Sequence, residues 1–152
     1  MIAMMQPIGV VLGGRTEASD DHWGTVEASI ELEGRFTPGS LRGIEDYSHL
    51  NIVFLMHRVP EDRIVTGARH PRERSDWPLV GIFAQPARMR PNRIGITTVE
   101  LLGVSGTTLR VRGLDAIDGT PVLDIKPYIS GFAPRTPVRE PEWVKELMKS
   151  YW

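Results

Sequence analysis

The chain has 152 residues, 41% hydrophobic and 24% charged, enough for one domain with a sizeable core and typical of a soluble globular protein. It contains no cysteine, which excludes a disulfide scaffold and any thiolate metal site. The four histidines (His22, His49, His57 and His70) form no HExxH pattern, so no metal is expected. The net charge of −1 gives no global case for nucleic acid, yet the charge is unevenly spread. Residues 1–57 hold three arginines against eight acids, whereas residues 58–93 hold eight arginines and no lysine against four acids. A guanidinium fork suits phosphates and carboxylates better than an ammonium does, so the middle segment reads as an anion-binding loop or as a solvated arginine-rich one.

The apolar start lacks a cationic leader region, and Pro7 and Gly9 interrupt it early, which favours a buried first strand over Pro7 to Leu12. The segment from Gly13 to Gly24 is polar and turn-rich, with Trp23 expected to pack on core or ligand. From Thr25 a period of two puts Val26, Ala28, Ile30 and Leu32 on one face of a half-buried strand. Leu41 to Tyr47 reads as a short helical turn, and His49 to His57 as a fully buried strand. Residues 59–78, broken by Pro60, Pro71 and Pro78, read as a functional or mobile loop. Short strands follow over Val80 to Ala84, Ile94 to Val104 and Thr107 to Leu114, the last two joined by a Ser105-Gly106 turn. In the last strand, Pro121 to Ile129, Leu123 and Ile125 should oppose Asp124 and Lys126. Pro134 and Pro137 mark a linker, and Glu140 with Pro141 suits a helix start. Trp143, Val144, Leu147, Met148 and Tyr151 would then pack on the barrel or on a second subunit.

About seven short strands predict a mainly β fold: a small single-domain β-barrel over residues 1–132, then a linker and short C-terminal helix over 133–152. No apolar run is long enough to span a membrane, and the absence of cysteine is compatible with a reducing cytoplasm.

The stretch from Gly81 to Tyr128 concentrates the chemistry, with Arg88, Arg90 and Arg93 in a loop stiffened by Pro86 and Pro91, and Asp115, Asp118 and Asp124 around Asp118-Gly119-Thr120-Pro121. No GxSxG elbow, P-loop or GxGxxG motif occurs, which argues against serine hydrolase and Rossmann-type chemistry. Asp118 is most simply a turn former. His57, at a strand end, is either structural or a ligand contact.

Several segments carry a resemblance: Ile8-Gly9-Val10, Gly43 to Leu50 (GIEDYSHL), Gly81 to Ala84 (GIFA), Arg90-Pro91-Asn92 with Ile94-Gly95, and Leu114 to Tyr128 with its DGTPVLDIKPY run. Together they resemble the TrmO family, also called YaeB-like or TsaA-like, over most of residues 8–129. The resemblance implies a homodimeric β-barrel methyltransferase that uses S-adenosylmethionine to methylate N6 of threonylcarbamoyl-adenosine beside the anticodon of tRNA. It implies cofactor contacts at His57 and Arg58, at the loop of His22, Trp23 and Gly24, at Ile96, and at Gly119, Thr120, Pro121 and Val122, with an apolar face from Trp23 or Phe83. Arg90, Asn92 and Lys126 are candidates for anchoring substrate or shaping the loop. Asp118, Asp124 and His57 are all open as proton acceptor.

The chain departs from the family's RSPxRPNPIG pattern, carrying Pro86, Ala87, Arg88 and Arg93 where arginine, serine, proline and proline are usual. Arg88 or Arg93 is expected to replace the lost cation. The family's longer members carry a C-terminal domain that these 152 residues do not contain. These departures leave room for a small-molecule or different RNA acceptor, or for a non-catalytic cofactor-binding dimer.

Overall fold

The computed structural model describes all residues, 1–152. Eight strands form: β1 (Gly9–Leu12), β2 (Glu27–Leu32), β3 (His49–Leu55), β4 (Ala68–Arg69), β5 (Val80–Gly81), β6 (Ile94–Ser105), β7 (Thr108–Arg112) and β8 (Pro121–Pro127). One helix, α1 (Glu142–Met148), follows. Six strands close into a barrel in the order β1-β2-β7-β6-β3-β8, while β4 and β5 pair separately. Every barrel pairing is antiparallel, and closure removes the exposed edges that such short strands would otherwise present.

Alternation along each strand fills the interior. Ala28, Ile30 and Leu32 of β2, Leu50, Ile52 and Phe54 of β3, and Leu109 and Val111 of β7 all belong to one 14-residue core. Gly95 of β6 faces Phe54, whose ring lies where a side chain would stand: a Cβ there would come 2.4 Å from Phe54 Cζ. The glycine of the Arg-Pro-Asn-Arg-Ile-Gly segment is therefore a packing requirement of the barrel.

Four expectations need correction. β3 is one-sided rather than fully buried, because Val53 and Leu55 lie on the outer barrel face. The strand expected to run to Ala84 stops at Gly81 and turns into a 3-10 segment over Ile82–Ala84. Leu123 and Ile125 do not share a face. Val53 pairs with Asp124 but Phe54 pairs with Val122, so Leu123 is an extra residue in a β-bulge, and Val122 and Ile125 turn to the core instead. Residues 59–78 are not a structureless loop: they contain two 3-10 turns and β4, and they carry Trp77 into a second cluster. That cluster is where α1 packs. Trp143 meets Trp77 with ring centroids 5.9 Å apart, Leu147 is buried beside them, and Met148 stays exposed.

Candidate cofactor and substrate site

Because every barrel neighbour is antiparallel, the chain ends alternate and three long connections meet at one end of the barrel. They are residues 13–26 between β1 and β2, 56–93 between β3 and β6 (including the β4–β5 pair), and 113–120 between β7 and β8. Nearly all the candidate residues lie on them.

The β7–β8 connection is clamped to β1 and the residues just after it. Asp118 Oδ1 accepts the Gly13 N–H at 2.8 Å, and the Asp118 and Gly119 N–H groups donate to the carbonyls of Arg15 (2.8 Å) and Val11 (2.7 Å). Thr120 is buried, and its N–H donates to the Ile117 carbonyl at 3.1 Å. Asp118 is thus both turn former and clamp. With the Gly119 and Thr120 amides committed inside the chain, and the Thr120 and Val122 carbonyls taken by the N–H groups of Val11 (2.9 Å) and Ile8 (2.8 Å), the turn offers the Gly119 carbonyl, beside Pro121 at the start of β8, to anything bound there.

Arg15 organises the β1–β2 connection. Its guanidinium donates to Ser19 Oγ (2.6 Å) and to the carbonyls of Asp21 (2.7 Å) and His22, and it lies 4.4 Å from the Trp23 ring centroid. Trp23 is buried and donates its indole N–H to the Ser19 carbonyl at 3.0 Å. Its ring is therefore occupied by the protein, and it supports the loop from beneath. The chain's last residues line the same loop. The N–H groups of His22 and Trp23 donate to the carbonyls of Ser150 and Tyr151, each at 2.8 Å. Gly24 packs on Trp152 so closely that a Cβ would stand 2.8 Å from its carbonyl carbon.

In the 56–93 connection, Arg58 and Arg88 reach across to the carbonyls of Thr16 (3.1 Å) and Ala18 (3.4 Å). Arg90 turns inward to the carbonyls of Gln85 (2.9 Å) and Ala87 (3.2 Å), and Arg93 to that of Val59 (2.9 Å), so both lock their own segment. Asn92 and Phe83 are exposed, and Ile96 stands on the outer face of β6 beside Val53. His57 is half-buried just beyond β3. Of the eight arginines in this segment only Arg72, forked onto Asp21, and Arg74, bonded to Asp76 and Glu146, have carboxylate partners. The other guanidinium charges are not neutralised.

Backbone strain gathers at the same end. The four non-glycine residues with positive φ are His22 (64°), Arg72 (52°), Glu73 (57°) and Arg93 (52°), all in these connections.

Lys126 does not join the group. It pairs across with Asn51 and forms an ion pair with Asp124 at 3.4 Å. At about 3.3 Å per residue, it lies roughly 17 Å along β8 from Pro121. Asp124 shares that outer position and its Oδ1 accepts the Ile125 N–H at 2.9 Å.

A scan against family models matches residues 19–134 to the tRNA-methyltransferase O N-terminal domain. The chain belongs to this family. It is 38% identical over 114 residues to a probable S-adenosyl-L-methionine-binding protein of Pyrococcus abyssi, covering 75% of this chain and 59% of that protein. It is 38% identical over 102 residues to the human tRNA (adenine(37)-N6)-methyltransferase, covering 67% of this chain and 23% of that one. The crystal structure of TrmO from Pseudomonas aeruginosa superposes with a TM-score of 0.76 at 30% identity, covering 94% of this chain and 62% of that chain. The chain thus spans less than two thirds of each of these relatives.

The family match stops at residue 134, so α1 and the residues after it lie outside the matched stretch. Helical spacing alone gives that tail no role at the site. In the structure the Tyr151 hydroxyl donates to Asp115 Oδ2, and Thr97, on the interior of β6, donates to Asp115 Oδ1. Burial, reinforced by the Asp115 carboxylate, pushes the Tyr151 hydroxyl up, so it stays a neutral donor. Tyr151 thereby ties the β1–β2 connection to the β7–β8 connection. Its only signal in the sequence was helical spacing, which says nothing of a hydroxyl partner.

Proposed function

We propose that the chain is an S-adenosylmethionine-dependent methyltransferase acting on adenine N6 in tRNA, with threonylcarbamoyl-adenosine beside the anticodon as acceptor. The observation that carries the reading is membership of the tRNA-methyltransferase O N-terminal domain family over residues 19–134. The human relative's name supplies the adenine-N6 chemistry, and the Pyrococcus relative's name supplies the cofactor.

The residues at the three-connection end fit such a cofactor. Ile96 and Phe83 are large apolar side chains left 69% and 78% exposed, suited to an adenine or ribose face. The Gly119 carbonyl suits an amine or a sulfonium, and His57 with Arg58 suits a carboxylate. The cofactor supplies a methyl group on a positively charged sulfur, so the protein needs neither a metal nor a covalent nucleophile. Its tasks are to align the acceptor nitrogen, exclude water and take up a proton. Since Asp118 is engaged by Gly13 and Asp124 lies along the barrel wall facing Lys126, His57 is the best placed of the three candidate proton acceptors. Arg88, exposed and held by one long bond, is better placed than Arg93 to replace the cation lost at Pro86.

The reading includes a homodimer in the cytoplasm, where the uncompensated arginines would meet tRNA phosphates. Incubating the protein with labelled S-adenosylmethionine and tRNA from cells lacking this modification tests it. Label on adenine N6 of threonylcarbamoyl-adenosine is the expected result. Label on small molecules alone, or cofactor binding without transfer to any acceptor, refutes the tRNA reading.

A further inference from the structure

Residues 142–152 lie beyond the family-matched stretch, yet they bond to all three connections at the candidate site. To the 56–93 connection, α1 presents Glu146, whose Oε2 accepts the Trp77 indole N–H at 2.9 Å and whose Oε1 accepts from Arg74 at 3.0 Å. To the β1–β2 connection, the carbonyls of Ser150 and Tyr151 take the N–H groups of His22 and Trp23. To the β7–β8 connection, the Tyr151 hydroxyl donates to Asp115, which the Thr97 hydroxyl holds from inside the barrel.

The β1–β2 connection depends on this outside support. Among residues 14–25 only the His22 and Trp23 N–H groups donate to backbone carbonyls, and both go to the tail. His22 is held in the left-handed region with a φ of 64°, a conformation that a histidine keeps only where its surroundings over-determine it. Its N–H is fixed by Ser150 and its carbonyl by Arg15. Gly24 then admits the Trp152 backbone at a distance that any Cβ would block. The Tyr151 ring packs edge-on against Trp152 with centroids 4.8 Å apart, so its hydroxyl is carried on a fixed support. Asp118 joins the β1–β2 and β7–β8 connections where β1 ends, at Gly13 and Arg15. Tyr151 joins them a second time, nearer β2.

We propose that Tyr151 is a positioning residue for the cofactor: through Asp115 and the two tail carbonyls it fixes the His22–Gly24 loop relative to the Asp118–Val122 turn, so that the cofactor meets both already in place. The proposal rests on the reading of this end as the cofactor site, and it adds a component from outside the family-matched residues. Without the hydroxyl, loop and turn move more independently, and a smaller fraction of molecules presents both correctly. Apparent affinity then falls in proportion to that fraction, while the occupied site is unchanged. A positioning role therefore raises KM for the cofactor and leaves kcat at saturation in place. Loss of folded protein does the opposite, lowering apparent kcat without moving KM.

Calorimetric titration of S-adenosylhomocysteine into the full chain and its Tyr151→Phe, Asp115→Asn and doubly substituted forms tests it, each well below its own melting temperature. Phenylalanine keeps the ring and its contact with Trp152, so only the hydroxyl is lost. Tyr151→Phe should raise the dissociation constant about three- to tenfold, the change that one hydrogen bond allows. The double variant should bind no more weakly than Asp115→Asn alone, because both substitutions break the same link. In methyl-transfer assays Tyr151→Phe should raise KM for S-adenosylmethionine with kcat retained. An unchanged dissociation constant in Tyr151→Phe, effects that multiply in the double variant, or a lower kcat at unchanged KM overturns the proposal while the cofactor reading stands. Wild-type protein that binds no cofactor overturns both. Coupled losses of affinity in a protein that transfers no methyl group would support the positioning role and refute the enzymatic reading alone.

Discussion

The barrel and the arginine-rich 56–93 connection are held together by different means. The barrel has a closed backbone ladder around a 14-residue core, so each strand is fixed by two neighbours. The connection has a two-stranded pair, arginine-to-carbonyl bonds and a three-residue cluster shared with α1. A closed scaffold thus carries a more loosely tied insertion, a division that suits the proposed function, in which the cofactor turn is fixed and the acceptor side accommodates RNA.

The sharpest way to break the comparison is to damage each part in turn. Ile52→Ala, at a fully buried barrel position, should destabilise the whole protein by about 2–5 kcal/mol in chemical denaturation. Trp143→Ala should cost about 3 kcal/mol, but only locally: amide exchange should quicken in residues 59–89 and α1 while the barrel strands keep their protection. Equal loss of protection in both regions would show one cooperative unit.

The sequence revealed these two regions unequally. Barrel strands announce themselves because one face is buried, so Ala28, Ile30 and Leu32 recur with period two. A bulge leaves no such mark, so a strict period of two puts Leu123 on the wrong face. The connection was illegible because its order comes from guanidinium groups bonding distant carbonyls, and no periodicity records that Arg58 finds Thr16 or that Trp77 finds Trp143. Lys126 falls in the family-like run from Leu114 to Tyr128, but an extended strand carries it away from Asp118.

Smaller perturbations refine the picture at the junction. Arg88→Ala should weaken S-adenosylmethionine binding by about 1.5–3 kcal/mol, with Arg93→Ala acting mainly on thermal stability. The reverse pattern in calorimetry and melting would give the replacement cation to Arg93. Tyr151→Phe removes one donor from Asp115 and should cost about 1–2 kcal/mol of stability while loosening cofactor binding several-fold. An unchanged dissociation constant would make the tail a bystander.

The smallest effect is that of acid. Bonds from the Trp77 indole and from Arg74 hold the Glu146 carboxyl below its usual range, and Arg74 does the same for Asp76. A lowered carboxyl stabilises the fold above its ordinary pKa and ceases to do so as pH falls through the lowered value. Docking of α1 should therefore weaken only below the ordinary carboxylate range. Tryptophan fluorescence of Glu146→Gln should lose that acid transition, and a transition unchanged in the variant would place its cause elsewhere.

The central claim is that one end of the barrel is the cofactor site. Backbone amide shifts on adding S-adenosylhomocysteine, the product form of the cofactor, test it most directly. The account predicts shifts concentrated at His57, Arg58, Ile96 and Gly119 to Val122, with none at Lys126 or at the Ser105-Gly106 turn on the opposite end. Shifts centred on that opposite end, or no shifts at saturating ligand, would contradict it.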